Sequence, residues 1–162
     1  MSVTFQQFQQ KITKPIAFSL FAFTNLPSAW FAGLKIESLT ATTGVVSVKQ
    51  KWFNKNPFRS IYFAILAMAA EVATGVLCMG YLYKLSPSVS MLVVKNEAHF
   101  HKKATGKISF TCADGEAVNQ AIQAAIAQQI GTTVTCHAIG TNEAKEVVAE
   151  FWFTWSFKAK KG

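Results

Sequence analysis

The strongest constraint on the fold of this chain is a run of 23 residues, Ile61 to Tyr83, in which Glu71 is the only charged residue. A helix of that length is long enough to cross the hydrocarbon core of a bilayer. An ionised carboxylate at its midpoint would be costly in lipid, however, and the run is rich in alanine rather than leucine. The rest of the chain carries strand-like patterns, which favour a helix buried in a core, so we expect no membrane span.

The two sides of this helix differ in side-chain size. One side is bulky, and we expect it to pack against a sheet; it carries Ile61, Ile65, Val72, Val76 and Met79. The other side has small or polar residues at steps of three and four, which leave space for another helix or a ligand. This stripe consists of Ala64, Ala67, Met68, Glu71, Thr74, Gly75 and Cys78. Its members Met68, Thr74 and Gly75 are therefore candidate substrate-pocket residues.

A buried glutamate is costly unless it is hydrogen-bonded or protonated. No lysine or arginine lies three or four residues from Glu71 to pair with it. Two interpretations stay open. Backbone or serine donors satisfy the carboxylate, or it is a general base or nucleophile in an apolar cleft.

The first 33 residues read as a helical N-terminal extension. Phe5, Phe8 and Ile12 recur at helical spacing between Val3 and Thr13, and Pro15 ends that helix. A second helical segment, Ile16 to Thr24, is broken by Pro27. We expect Trp30 and Phe31, which follow, to plug the core.

Period-two alternation indicates strands in three later regions. Residues 34–53 predict a hairpin that turns at Gly44, residues 89–113 a second that turns at Gly106, and residues 132–158 a third. In the last strand we expect alternate residues to face inward, namely Ala149, Phe151, Phe153, Trp155 and Phe157. Before the third hairpin, Asp114 caps a short helix at its start and Gly131 ends it in the left-handed conformation.

About six strands and one helix that is apolar all round predict an α+β fold, with an antiparallel sheet curled around the long helix. The length of 162 residues suits a single domain. We expect residues 1–162 to form that domain, with residues 1–33 as the extension, 34–158 as the core and 159–162 as a frayed tail.

Composition excludes two classes of protein. A chain that is 51% apolar and 15% charged is not intrinsically disordered. Cys78, Cys112 and Cys136 are too few and too widely spaced for a disulfide scaffold. The N-terminus has no pattern of a secretory signal, and unpaired thiols fit a reducing compartment, so we expect a cytoplasmic protein.

The net charge of +8 comes almost entirely from lysine, with Arg59 as the only arginine. Arginine is the residue favoured for reading DNA bases, so we expect no nucleic-acid partner. Aromatic residues interleaved with lysine near residues 151–158 are also typical of surfaces that stack single-stranded nucleic acid. Here they fall on the predicted inner face of the sheet, which favours a role in the core. The lysines either solubilise the surface or attract phosphates, including those of coenzyme A.

Motifs for other chemistry are weak. His99 and His101 share a strand face with Glu97, but a metal site usually needs a further well-placed ligand, and we expect none. Neither a phosphate-binding loop nor a nucleophile elbow is completed.

The segment Asn54 to Ala64, followed by Glu71, resembles hotdog-fold thioesterases, in particular those of phenylacetate degradation and an uncharacterised branch of the superfamily. In the former, an asparagine precedes a His-Gly-Gly motif by six residues, and an acidic residue follows the histidine by nine. Asn56, Tyr62 and Glu71 have these spacings. Tyr62, Phe63 and Ala64 replace the histidine and both glycines.

The resemblance implies a role for each of these positions. Glu71 matches the acidic general base or nucleophile, and Asn56 matches an asparagine beside the attacked carbonyl. The residues of the His-Gly-Gly positions, here Tyr62, Phe63 and Ala64, supply a backbone amide that polarises the thioester carbonyl. The implied substrate is an acyl-CoA or an acyl-carrier-protein thioester, with coenzyme A entering only as part of the substrate and no separate cofactor.

Helix geometry bears on the assembly. Tyr62 and Glu71 are nine residues apart, or about 13 Å along a helix, so one bound carbonyl cannot contact both. The two groups would have to come from different chains, and we expect a homodimer, or a tetramer, as the resemblance also implies. The alternative is a non-catalytic acyl- or CoA-binding or interaction module that has kept the fold and lost the oxyanion site.

Overall fold

The N-terminal extension is helical, as expected, in the computed structural model, which describes residues 2–160. It contains three helices rather than two: α1 (Val3–Ile12), α2 (Pro15–Asn25) and α3 (Pro27–Ala32). Prolines begin α2 and α3, because proline suits the first position of a helix, where its missing N–H costs nothing. The expectation for Trp30 and Phe31 was wrong. Their side chains are 38% and 51% exposed on α3.

Six antiparallel strands form one sheet around the long helix α4 (Phe63–Leu82), which confirms the predicted α+β class. The strands are β1 (Lys35–Leu39), β2 (Gly44–Lys49), β3 (Val89–Phe100), β4 (Lys107–Cys112), β5 (Thr132–Thr141) and β6 (Val147–Ala159). A short 3-10 helix, Trp52–Asn54, precedes α4, and α5 (Gly115–Gln128) lies between β4 and β5. The spatial order is β1-β2-β4-β5-β6-β3, so β1 and β3 are the two edges of the sheet.

The second predicted hairpin does not form. The strand β3 pairs with β6, whereas β4 pairs with β2 and β5. The connection from β3 to β4 crosses the start of α4, where the Ile61 N–H donates to the Ala104 carbonyl at 2.8 Å. Alternation identified both strands, but it carries no information about which strands pair.

The sheet covers α4 on more sides than expected. A Cβ atom at Gly44 would lie 2.6 Å from the carbonyl oxygen of Ala73, so β2 and the helix backbone approach closely because this residue is glycine. On the stripe of small residues, Thr74 and Gly75 contact Trp155 of β6, while Val72 and Met79 of the bulky side line a cavity. The stripe of small residues, expected to leave space for another helix or a ligand, is therefore partly filled by the sheet.

Chain ends and caps differ in detail from the predictions. Gln129, not Gly131, adopts the left-handed conformation that ends α5, with φ of 56°. Asp114 precedes α5, but its carboxylate accepts the His137 N–H instead of capping the helix. The tail is ordered at Ala159, which ends β6 and is buried, and at Lys160, whose N–H donates to Ser88. Residues 161 and 162 lie outside the described residues.

By length and composition α4 is the one helix among residues 2–160 that could span a bilayer. Most of its apolar surface is buried inside the sheet. The inward-facing residues of β6 complete this core, and all five of those predicted, from Ala149 to Phe157, are buried. The helix thus forms the centre of the domain core.

Candidate functional site

Glu71 lies on the side of α4 that the sheet leaves open, facing a narrow cavity of about 90 Å³. The cavity wall is apolar and comes from α1, α2, β1, β3 and α4, with Ile12, Phe18, Phe21, Ile36, Val72, Met79 and Met91 among its residues. Among residues 2–160, no donor or basic group lies within hydrogen-bonding or ion-pairing distance of this carboxylate. Burial raises the pKa of Glu71 above the ordinary glutamate value.

One turn further along α4, Gly75 lies beside the carboxylate. A Cβ atom at this position would lie 3.5 Å from Oε1 of Glu71 and 3.4 Å from the Trp155 ring, both ordinary van der Waals contacts. The space beside the carboxylate therefore accepts a methyl group, whereas a larger side chain would press on the carboxylate or the ring. Of the three residues predicted to line a pocket, Gly75 lies in this cavity wall.

The other two predicted pocket residues lie elsewhere. Thr74 is fully buried; its hydroxyl donates to the Glu71 carbonyl at 2.9 Å and accepts from Trp155 Nε1 at 2.9 Å. Its contacts thus tie α4 to β6. Met68 is half-buried and outside the cavity wall as the described residues form it.

A tightly hydrogen-bonded loop leads into the start of α4. Asn54 is buried, and its side chain bonds to Lys51, Ala32 and Lys49. Asn56 Oδ1 accepts hydrogen bonds from the Phe58 N–H, the Ser60 N–H and the Ser60 hydroxyl at 3.0 to 3.2 Å. The Asn56 side chain therefore fixes the loop, and its amide nitrogen has only a 3.5 Å contact with the Ile61 carbonyl.

The first backbone amides of α4 divide into engaged and free donors. The Tyr62 N–H donates to the Asn54 carbonyl at 2.8 Å, so it is not available to a ligand. The N–H groups of Phe63 and Ala64 have no hydrogen-bond acceptor within the described part of the chain. Free N–H groups at a helix start are suited to binding an anion or a polarised carbonyl oxygen.

Phe63, the first residue with a free amide, lines a surface groove of about 310 Å³, together with residues of the loop, of α4 and of the segment after β3. Asn56, Phe58, Lys102 and Lys103 are among the other residues of its wall. Lys102 forms an ion pair with Glu146, whereas Lys103 has no carboxylate within 4 Å among residues 2–160. From the sequence these lysines contributed only to the positive net charge, without a link to the helix start.

The two halves of the candidate site are separate within one chain. Glu71 lies eight residues from Phe63, or about 12 Å along α4, and the two face different cavities. An unpaired carboxylate can take a proton from water, and free amides can stabilise an oxyanion. One chain does not bring both functions to the same atom.

A group with metal-ligand spacing lies elsewhere in the core. Ligand atoms of Cys112, Asp114 and Cys136 are all within 4.8 Å of one another, although the sequence gave no such indication. A hydrogen bond to Cys112 and burial raise the pKa of the Cys136 thiol, which keeps it protonated. The Asp114 oxygen that accepts the His137 N–H also accepts from Cys112 Sγ at 3.6 Å, so hydrogen bonds link the members of this cluster.

The histidines considered as metal ligands do not converge with Glu97. His99 lies 3.5 Å from Glu97, but His101 pairs with Glu150 at 2.7 Å, beyond the end of β3. His137 lies on the other side of Glu150, at 2.9 Å. These contacts form a carboxylate–histidine cluster on β5 and β6, with no part in the Glu71 cavity.

Solved structures share this architecture. Protein PA5026 of Pseudomonas aeruginosa, of unknown function, superposes with a TM-score of 0.76 at 20% identity, covering 93% of this chain and 99% of that one. A protein of unknown function from Chlorobaculum tepidum gives 0.76 at 18%, with 93% and 99% covered. The thioesterase HI1161 of Haemophilus influenzae gives 0.63 at 9%, with 90% and 91% covered. At these identities the matches show the fold alone, and it is the hotdog fold.

A search of curated proteins finds no significant match to the chain. One family model does match, over residues 15–157, and therefore over nearly the whole molecule from α2 to β6. Its description is a domain of unknown function. With this coverage and the hotdog fold of its structure, the chain belongs to the DUF4442 family.

Proposed function

We propose that the protein is a thioesterase that hydrolyses acyl-CoA or a related acyl thioester as a homodimer. The observation that carries the proposal is the unpaired Glu71 carboxylate in an apolar cavity, on the same helix whose first amides are free. The hotdog fold, which a Haemophilus influenzae thioesterase shares, supports the reaction class. Each reaction centre would take Glu71 from one protomer and the Phe63 and Ala64 amides from the other.

The edge strand β3 supplies a way to bring these groups together. Its start carries Met91, which lines the Glu71 cavity, and its end carries Phe100, whose ring lies 6.3 Å from that of Phe63. Antiparallel pairing of two β3 strands would lay the Phe100 end of one beside the Met91 end of the other. A partner's helix start would then border the cavity of Glu71. Unpaired backbone groups along this long edge favour such an addition.

The proposed reaction uses water as the second substrate. The thioester carbonyl oxygen accepts hydrogen bonds from the Phe63 and Ala64 amides, which stabilise the negative charge that develops on it. Glu71 removes a proton from a water molecule as that water attacks the carbonyl carbon. The carbon–sulfur bond then breaks, giving a carboxylic acid and a thiol, and the carboxylate is regenerated. In the variant route Glu71 attacks directly and water hydrolyses the resulting anhydride.

Two further groups would position the substrate. The Asn56 amide nitrogen lies in the same groove as the free amides and is the remaining donor of that side chain. Lys103 lines the groove without a carboxylate partner among the described residues, so we propose it as a contact for coenzyme A phosphates.

A second candidate is an acyl-thioester-binding module without catalysis. The observation that favours it is the Phe63 side chain, which is largely exposed at a position where the resembling enzymes have glycine. A bulky ring beside the free amides can restrict the approach of a carbonyl. Binding without turnover would be the signature of such a module.

Turnover of a panel of short, long and aromatic acyl-CoAs, followed by thiol release, tests the proposal. We expect Glu71→Gln to lower kcat/KM by at least about a hundredfold, because the isosteric amide cannot accept the proton. Glu116→Gln, an exposed glutamate of α5, is the matched control and should retain full activity. Unchanged turnover in Glu71→Gln would remove Glu71 from the mechanism. Acyl-CoA binding without turnover by the unaltered protein would establish the binding module instead.

A further inference from the structure

The outer surface of α2 and α3 is apolar and has no partner among residues 2–160. In α2, Ile16 and Leu20 are 86% and 64% exposed, one turn apart, and Phe23 continues the same row. Trp30 and Phe31 of α3 and Phe53 of the 3-10 helix extend it. We call this set the apolar face: Ile16, Leu20, Phe23, Trp30, Phe31 and Phe53.

The aromatic members of the apolar face are contiguous. Ring centroids lie 5.1 Å apart for Phe23 and Trp30, 5.1 Å for Trp30 and Phe31, and 5.9 Å for Phe31 and Phe53. Next to Phe53, Trp52 is 81% exposed. Scattered apolar residues on a surface are ordinary, but a connected patch marks a surface that binds something.

Basic residues surround the apolar face. Lys14 directly precedes α2, Lys35 lines a surface cavity together with Pro15 and Trp30, and Lys51 reaches Gly33 at the end of α3. Within the first 70 residues, seven basic residues stand against one acidic residue. That residue, Glu37, is paired with Lys107 at 2.7 Å, which holds the pKa of its carboxyl below the usual range. The charge around the face is therefore positive.

The positive charge around the apolar face favours an anionic bilayer over a second copy of this chain as its binding partner. A second copy placed on the face about a twofold axis would set lysines against lysines, which is unfavourable. An anionic bilayer instead offers phosphates to the lysines and a hydrocarbon boundary to the apolar side chains. Tryptophan and phenylalanine beside lysine are the residues that interfacial helices place at this depth.

We propose that the apolar face binds peripherally to the surface of an anionic phospholipid bilayer, with Ile16, Leu20 and Phe23 reaching the headgroup boundary. The inner side of α2, with Phe18 and Phe21, covers the Glu71 cavity. The helix thus separates the bilayer from the candidate site. The binding requires no thioesterase activity, so the two proposals can fail independently.

Co-sedimentation of the full chain with vesicles tests this. We expect binding to vesicles of phosphatidylcholine mixed with phosphatidylglycerol, little binding to phosphatidylcholine alone, and weaker binding as salt increases. The fluorescence of Trp30 and Trp52 should shift to shorter wavelength on binding. Leu20→Asp should weaken binding by about tenfold or more, since it removes apolar surface and adds a negative charge. Ile130→Asp, at an equally exposed apolar residue just beyond the end of α5, is the control and should bind normally.

A second set of variants tests the contribution of the basic residues to vesicle binding. Lys14→Gln and Lys51→Gln together should weaken binding to the mixed vesicles, whereas Lys145→Gln, remote from α2 in the chain, should not. Thermal unfolding of each variant should match the unaltered protein, because the altered side chains are exposed. Absence of binding to the mixed vesicles would overturn the proposal. Equal binding by Leu20→Asp would also overturn it, as would concentration-dependent self-association that Leu20→Asp abolishes.

Discussion

Glu71 is the residue on which the functional argument depends. Its carboxylate faces apolar side chains from five elements, and nothing among the described residues donates a hydrogen bond to it. Such an arrangement costs folding free energy whenever the group is ionised. A purely structural role would be expected to include donors, and their absence among residues 2–160 is what supports the proposal of a chemical role for this group.

The raised pKa of Glu71 predicts a pH-dependent stability difference. The folded pKa lies above the unfolded one, so the folded state is favoured at low pH, where the carboxyl is protonated, and this contribution is lost as pH rises through the folded pKa. We therefore expect Glu71→Gln to melt at a higher temperature than the unaltered protein at neutral pH. The difference should vanish below the ordinary glutamate pKa. Thermal unfolding across a pH series measures this, and a constant destabilisation at every pH would contradict it.

Gly75 predicts a contrast between two substitutions. The space at its Cβ position allows ordinary contact, so Gly75→Ala should fit and stabilise the helix by up to about 1 kcal/mol. Gly75→Val adds methyl groups toward Trp155 and Glu71 Oε1, and should lower both stability and acyl-CoA turnover. Urea unfolding together with steady-state kinetics tests the pair. If Gly75→Val retained full turnover, the space beside the carboxylate would not be needed.

Among the secondary-structure elements, the loop before α4 fixes the position of the free amides. The Asn54 side chain donates one hydrogen bond to the end of α3 and one to the end of β2, and accepts a third from the Lys51 N–H. The Tyr62 N–H bonds back to the Asn54 carbonyl. The helix start is thus held by buried polar contacts. The sequence marked this segment only by its resemblance to hotdog-fold thioesterases and gave no sign of these hydrogen bonds.

Asn54→Ala tests this role of the loop. Removing the side chain leaves buried backbone groups without partners, which should lower the free energy of unfolding by about 1 to 3 kcal/mol or more. Asn119→Ala, on α5, should change it little. The measurement is urea unfolding of both variants. Equal stability of Asn54→Ala and the unaltered protein would show that the loop is held by other contacts.

The periodicity of the sequence predicts which residues form a helix or a strand and which face is buried, but not which strands pair. The inward face of β6 was predicted because strand side chains alternate, and α4 because its apolar run is long. Pairing of β3 with β6 was not predictable from alternation, and neither was the exposure of Trp30 and Phe31. Glu71 was identified as the one charge in an apolar run. Met91 and Ile36, which complete its cavity, come from distant strands and gave no local signal.

At the scale of the whole molecule, the separation of the two halves of the candidate site within one chain is the reason for proposing a homodimer. Glu71 and the free amides open to different cavities, and the unpaired edge β3 connects the surroundings of both. We expect light scattering to give at least twice the 17.8 kDa mass of one chain. Association through β3 would extend the sheet across the two protomers.

The most direct test of a site shared between protomers is complementation by mixed dimers. Phe63→Pro removes one amide donor yet suits the first position of α4, and Tyr62 before it already has the extended backbone that proline requires. Each variant homodimer, Glu71→Gln or Phe63→Pro, should be nearly inactive. Unfolding and refolding the two together should restore roughly a quarter of the original turnover, because half of the dimers then hold one intact site out of two. Mixed dimers that form but show no recovered turnover would contradict the shared site.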